Sequence, residues 1–177
     1  MGLIASFESD IIKTAHFFTL RNMFTDTYVR LLFDTGATYS VIGVNNILDS
    51  LEESTHEDFK KILYEEIISQ GVSKRDYPLK TATGKALDVY PCVLQNALIG
   101  SVTPFDFYFE LTEAHLEEPI LGRSYSDDCA YSHGIQGRIR ISGIVDNPGH
   151  RLYAKTHVLN INSIMDRYYS ETVDSQV

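Results

Sequence analysis

The sequence predicts a mainly β domain, a compact barrel-like sheet with a helical insertion near residues 45–70. Three observations predict it. Short runs rich in aromatic, aliphatic and β-branched residues recur along the chain, Tyr28-Val29-Arg30-Leu31-Leu32-Phe33 being the strongest. Phe105, Phe107, Phe109 and Leu111 alternate with Asp106, Tyr108 and Glu110, the period of a strand with one buried face. A single stretch has helical spacing instead, with Phe59, Ile62, Leu63 and Ile67 on one side.

Taken in order, Lys13 to Leu20 reads as a strand, Asn22 to Thr27 as a turn and Tyr28–Phe33 as the next strand. Asp34-Thr35-Gly36-Ala37 follows, then a short strand over Tyr39–Ile42. Ile47, Leu48 and Leu51 mark a short helix. Ser54-Thr55-His56-Glu57 has the form of a capping box for a helix over 55–70, and Gly71 stands where its C-terminal cap belongs. Pro78–Thr81 and Ala86–Tyr90 form a hairpin about Ala82-Thr83-Gly84-Lys85. Pro119-Ile120-Leu121-Gly122 is a short apolar run closed by glycine. Ser124–Ala130 reads as a brief helix, Arg138–Ser142 as a strand, Pro148-Gly149 as a turn and Arg151–Ile161 as a last strand. The expected organisation is one domain over 1–143 and a C-terminal extension over 144–177, a strand followed by a mobile polar tail from Ser170.

The 177 residues, 44% hydrophobic and 22% charged, are enough for one core. With 15 Lys+Arg against 24 Asp+Glu the net charge is −9, which argues against phosphate backbones and so against a nucleic-acid partner. No apolar run is long enough for a membrane span, and no basic segment followed by an apolar stretch opens the chain. Two cysteines, Cys92 and Cys129, make no disulfide framework, so a reducing, cytoplasmic setting is expected. Met1-Gly2-Leu3-Ile4-Ala5-Ser6 fits the loose pattern for myristoylation at Gly2, without the polybasic second signal that stable anchoring needs.

The chemistry concentrates at Leu31-Leu32-Phe33-Asp34-Thr35-Gly36-Ala37. An apolar strand delivers an acid to its end, a glycine two residues later permits a tight turn, and the chain returns as a second apolar strand. A carboxylate held in such a place is costly unless it has a partner or a purpose, although bonding to the turn amides is an ordinary role for Asp.

Asp34-Thr35-Gly36-Ala37 between apolar strands resembles the active-site loop of the retropepsin-like aspartic proteases. Three further features resemble that family in order: Val41-Ile42-Gly43, the hairpin about Ala82-Thr83-Gly84 where the family carries its flap, and Ile120-Leu121-Gly122-Arg123. The resemblance spans roughly 15–142. It implies a closed β-barrel, half of an acid protease, and an aspartic endopeptidase without cofactor or metal. With one Asp-Thr-Gly per chain it implies a homodimer, in which Asp34 meets the Asp34 of a second copy and the pair activates water against a polypeptide substrate. Thr35 would bond across the axis, Gly36 would offer its backbone to substrate, and Ala82, Thr83 and Gly84 would close over it. Ile42 and Ile120 would line the side-chain pockets, and Gly122 and Arg123 would be structural.

Retroviral members carry two Asp residues after Ala, one of them paired with the later Arg. Thr38 and Tyr39 stand there in this chain, so Arg123 needs another partner, and Asp127 or Asp128 are the candidates. The same departure sustains an alternative, a catalytically silent retropepsin-like dimerisation or peptide-binding module. Other clusters are bland. Cys129 and His133 lack a second ligand pair for zinc, and Glu117, Glu118, Asp106 and Glu110 read as a solvated acidic face.

Ala37 generates a prediction. A hydroxyl at this position would donate to the ionised Asp34 and lower its pKa. Ala37→Ser should therefore move the acid limb of the pH–rate profile to lower pH, and an unchanged profile would refute the hydroxyl argument.

Overall fold

The computed structural model describes residues 6–12, 15–25, 27–100, 103–126, 130–133, 137–142 and 149–173. The N-terminal Gly2 motif, Asp127, Asp128, Cys129 and Pro148 lie outside the described residues, as does the end of the chain beyond 173.

The elements in order are β1 (Ser6–Glu8), β2 (Asp10–Ile12), β3 (Ala15–Asn22), β4 (Tyr28–Phe33), β5 (Val41–Gly43), α1 (Val44–Leu48), α2 (His56–Gln70), β6 (Leu79–Lys80), β7 (Ala86–Leu87), β8 (Val89–Ile99), β9 (Phe105–Thr112), β10 (Ile120–Leu121), α3 (Arg123–Ser126), β11 (Ala130–His133), β12 (Ile139–Ser142), α4 (His150–Tyr153), β13 (Leu159–Asn160) and α5 (Ile161–Tyr168). The main sheet runs β13-β8-β9-β5-β10-β4-β3-β2, and β8 pairs also with β3, with Leu20 opposite Ile99. β1, β12 and β11 form a separate three-stranded antiparallel sheet, and β6 and β7 a hairpin. The protein is thus strand-rich with a few helices. Among the described residues no helix is long and apolar enough to cross a membrane.

The strands of the first half follow their apolar content. Tyr28–Phe33 pairs along its length with β3, and Phe18, Leu20, Val29 and Leu31 enter the core. The return strand begins only at Val41, because Thr38 to Ser40 remain in the loop. β8 is the longest strand among the described residues; the strand expected over Ala86–Tyr90 reaches only its first two residues, and beyond them Pro91 and the polar pair Gln95-Asn96 interrupt the pattern. The ladder with β9 breaks between Leu94 and Ala97, where Asn96 takes a positive φ of 58°. The polar groups left out at this bulge are met by the Asn162 side chain, whose Oδ1 accepts from Gln95 N at 2.7 Å and whose Nδ2 donates to Gln95 O at 2.8 Å.

Helix α2 ends as expected. Gly71 has φ +66°, its N–H reaches Ile68 O at 3.1 Å, and Val72 N reaches Ile67 O at 3.2 Å. Its start differs. Glu53–Thr55 is a 3-10 turn, Ser54 is exposed, and no side chain caps the helix. The Thr55 hydroxyl is buried and engaged elsewhere, with Glu52 O and with the Tyr168 hydroxyl, each at 2.7 Å. The expected capping box led by Ser54 does not form: the residue at the N-cap is Thr55, and its hydroxyl is used elsewhere.

The C-terminal segment departs most from the sequence reading. The strand expected over Arg151–Ile161 forms only at Leu159–Asn160, parallel to β8; α4 precedes it and α5 follows. Asn160 caps α5 by accepting from Asn162 N at 2.9 Å. Ile161, Ile164, Met165 and Tyr168, at helical spacing, enter the same core as the strands, and Phe59 of α2 meets Tyr168 edge-on at 5.9 Å. The mobile tail is expected from Ser170, but Tyr169–Val173 makes one wider π-type turn with Thr172 buried.

Along β9 the aromatic face is buried as expected, but Glu110 on the opposite face is buried too, with no exposed surface. It was expected on a solvated acidic face; Arg75 and Tyr153 cover it and hydrogen-bond to it. Glu117 and Glu118 are exposed.

The role of α5 is testable. Ile164→Ala should cost about 2–5 kcal/mol in urea unfolding, since its side chain is fully buried. Ile68→Ala, at an 80% exposed position on α2, should stay within about 0.5 kcal/mol of the parent.

Candidate active site

The acid at the end of β4 is fixed by backbone bonds to a distant segment. Asp34 N donates to Leu121 O at 3.0 Å, and Leu32 N to Pro119 O at 2.7 Å, so β10 runs parallel to β4. On its other edge β10 pairs with β5, Ile120 opposite Val41. The segment Ile120–Leu121 therefore lies between the two arms of the loop that carries Asp34. Beyond it, Arg123 N donates to Ala37 O and Ser124 N to Thr38 O, both at 2.8 Å. The fully buried Ser40 accepts from Gly122 N through Oγ at 3.0 Å.

Gly122 is required here by proximity. A Cβ on it would stand 2.3 Å from the Tyr39 carbonyl oxygen and 2.9 Å from that of Ala37. The glycine of the Ile-Leu-Gly-Arg element thus lets the crossing segment touch the loop's backbone. Arg123 does find a partner among the described residues, donating through Nη2 to Thr38 Oγ1 at 3.2 Å, while the expected alternatives Asp127 and Asp128 lie outside them.

Within the loop, Ala37 N donates to Asp34 O at 3.2 Å and closes the turn. One carboxylate oxygen, Oδ1, accepts from Gly36 N at 2.9 Å. The turn-amide role of Asp34 is therefore present, yet it uses one oxygen only; no partner engages Oδ2 among the described residues. The residue is half-buried, while Thr35 and Gly36 are exposed at the loop's tip.

Asp34 opens on a cleft of about 610 Å³. Its floor includes Asp34, Gly36 and Ala37, and its walls Tyr39, Val41 and Ile120. The opposite side is the β6–β7 hairpin, contributing Leu79, Thr81, Ala82 and Leu87. The hairpin is held by its own turn: Thr81 N donates to Lys85 O at 2.8 Å, Gly84 N donates to Thr81 O at 2.9 Å, and Gly84 has φ +84°. Thr83 and Gly84 stand exposed at the tip and do not line the cleft.

The structure thus gathers Asp34, Gly36, Ala37, Ala82 and Ile120 around one space. It does not bring Ile42 there. That side chain is 1% exposed and belongs to the core, because the strand's alternation turns its neighbour Val41 to the cleft instead. Sequence reading also passed over Leu116, a wall residue fixed by α1: Asn45 Nδ2 and Asn46 Nδ2 donate to Leu116 O at 2.9 and 2.8 Å, and Leu116 N donates to Asn45 Oδ1 at 3.0 Å. The adjacent asparagines after Gly43 were the only signal for it.

Behind Tyr39 lies a charge pair, with the acid fully buried and the guanidinium half-buried, that no sequence pattern announced. Arg75 Nε donates to Glu110 Oε1, Arg75 Nη2 donates to Oε2 at 3.2 Å, and the Tyr153 hydroxyl donates to Oε2 at 2.5 Å. Burial depresses the Arg75 pKa, but the hydrogen bond and charge of Glu110 outweigh it and leave the group above its ordinary value. Burial first, then the negative charge of Glu110, push the Tyr153 phenol well up, so it remains a donor.

The close approach at Gly122 gives a prediction. Gly122→Ala should destabilise the fold by about 3 kcal/mol in thermal unfolding, since backbone must move. Gly36→Ala, whose Cβ would meet only Asp34 Oδ1 at 3.2 Å, should leave the unfolding midpoint nearer the parent.

No protein-family model matches the chain, and no curated protein matches it. Among solved structures it is similar to a retropepsin-like aspartic protease from Rickettsia conorii, at 13% identity over 80% of this chain and 93% of that one, with a TM-score of 0.48.

Proposed function

We propose that the protein is an aspartic endopeptidase that acts as a homodimer. The observation that carries this reading is the half-buried Asp34, held by backbone bonds to β10 and facing a hairpin across a cleft, with one carboxylate oxygen unengaged among the described residues. A single carboxylate has no second acid to share a proton with. In the proposed dimer the two loops meet on a twofold axis, Thr35 bonds across it, and the Asp34 carboxylates share one proton because adjacent like charges do not both ionise cheaply. The ionised partner takes a proton from water, which attacks the peptide carbonyl; the protonated partner supports the carbonyl oxygen and then donates.

The substrate in this reading is an extended polypeptide lying between the hairpin and the floor, with Val41 and Ile120 as apolar contacts and backbone groups of the loop as hydrogen-bond partners. Thr83 and Gly84, exposed at the hairpin tip, descend over it when it binds. The β8–β3 pairing, which joins strands far apart in the sheet order, is read as the closure of a retropepsin-like barrel. The unit that does this is the 1–143 domain, with the segment 144–177 as an extension that contributes α5 to the core.

The test is a peptide library at pH 4–7 at a protein concentration that favours dimers. Cleavage should occur, should be blocked by a statine-type transition-state mimic, and should fall by about 10²–10⁴-fold in Asp34→Asn. Sedimentation should show a dimer. A strict monomer, or peptide retention without cleavage, would overturn the enzymatic reading.

A further inference from the structure

Tyr39 lines two pockets. One is the Asp34 cleft; the other, of about 530 Å³, is lined by residues that include Arg75, Tyr77, Pro91 and His157. Tyr39 and Leu79 line both. A residue shared by the linings of two neighbouring pockets is placed to limit how deep a ligand group reaches from one toward the other.

That side chain is clamped. The Arg75 guanidinium lies over the Tyr39 ring, 5.2 Å from its centroid, and over the Tyr153 ring at 5.5 Å. The two rings meet edge-on, with centroids 6.3 Å apart and planes at 86°. Arg75 is oriented by its two bonds to Glu110, which is fully buried in β9 and tied at the backbone to the same loop, since Glu110 N donates to Ser40 O at 2.8 Å. Arg75 N also donates to Val89 O at 2.9 Å, just beyond the hairpin that faces the cleft. A planar guanidinium held by a bidentate bond is a fixed surface, unlike a lysine, and an aromatic ring set against it keeps its place.

We propose that Tyr39, held against Arg75 by the buried Glu110, is the partition between the Asp34 cleft and the second pocket, and sets the size of the substrate side chain admitted beside Asp34. Tyr39 is then a specificity-determining residue and Arg75 a positioning residue that acts through it. The inference rests on the proposed peptide-binding role of the cleft but not on turnover. Truncating Tyr39 joins the two cavities and opens room for a large side chain. Tyr39→Phe keeps the ring and its contact with Arg75.

The test compares the parent, Tyr39→Ala, Tyr39→Phe and the double variant Arg75→Met/Glu110→Gln, which strands no buried charge. Each is offered peptides differing only in side-chain size at one position near the scissile bond. Tyr39→Ala should raise the ratio of kcat/KM for aromatic over small side chains at one position at least tenfold, while Tyr39→Phe keeps the parental order. The double variant should shift toward the Tyr39→Ala order, and the Tyr39 pair carries the test without it if it does not fold. A structural defect lowers all peptides alike and moves no ratio. Parental cleavage with the same size order in Tyr39→Ala overturns this inference and leaves the proposed function standing. A parent that retains peptides without cleaving them, with dissociation constants that follow the predicted size order, overturns the enzyme and supports the partition. A parent that neither cleaves nor retains any peptide overturns both.

Discussion

The site depends on one backbone arrangement, the passage of Ile120–Leu121 between the two arms of the Asp34 loop. The first arm donates Leu32 N and Asp34 N along this segment, the second pairs Val41 with Ile120, and Ala37 O and Thr38 O accept from Arg123 N and Ser124 N just beyond it. Left unpaired, such groups would cost the loop its shape, since a partly buried backbone amide without a partner is expensive. The short loop could not hold a carboxylate at the mouth of a cleft by its own turn bond alone. The crossing segment supplies the remaining constraint, and Gly122 supplies the space in which the two backbones touch.

A second constraint bears on the outer face of the sheet. Glu110 would be an uncompensated buried charge without Arg75 and Tyr153, and losing one member of such a pair costs about 3–5 kcal/mol. The pair draws together four parts of the chain that are remote in sequence: the segment before the hairpin, the centre of β9, α4, and the loop beyond Asp34. The fold thereby links the hairpin's root to the cleft wall through a charge that solvent does not screen well.

The C-terminal segment is part of the same economy of contacts. α5 packs into the core, and its Asn162 completes the hydrogen bonds that the bulge in β8 leaves open. The hydroxyl of Tyr168 bonds the buried Thr55 hydroxyl at the start of α2. Neighbouring elements thus settle local choices that the sequence alone leaves ambiguous.

What the sequence determined by itself was local. β4, α2 with its Gly71 cap, the β6–β7 hairpin and the buried aromatic face of β9 follow from periodicity and turn chemistry, which act over a few residues. The motif around Asp34 was legible for the same reason, as an apolar strand, an acid and a glycine in immediate succession. The amphipathic spacing Ile161-Ile164-Met165-Tyr168 behind Asn160 was present too, but the apolar residues before it read equally well as a strand. Only the tertiary structure decided that Val41 rather than Ile42 faces the cleft, that Glu110 is buried, that Thr38 serves Arg123, and that Tyr39 lines two pockets. Those outcomes depend on which distant segment covers a given face. A charge or a hydroxyl carries no mark in the sequence of the partner that will reach it from another part of the fold.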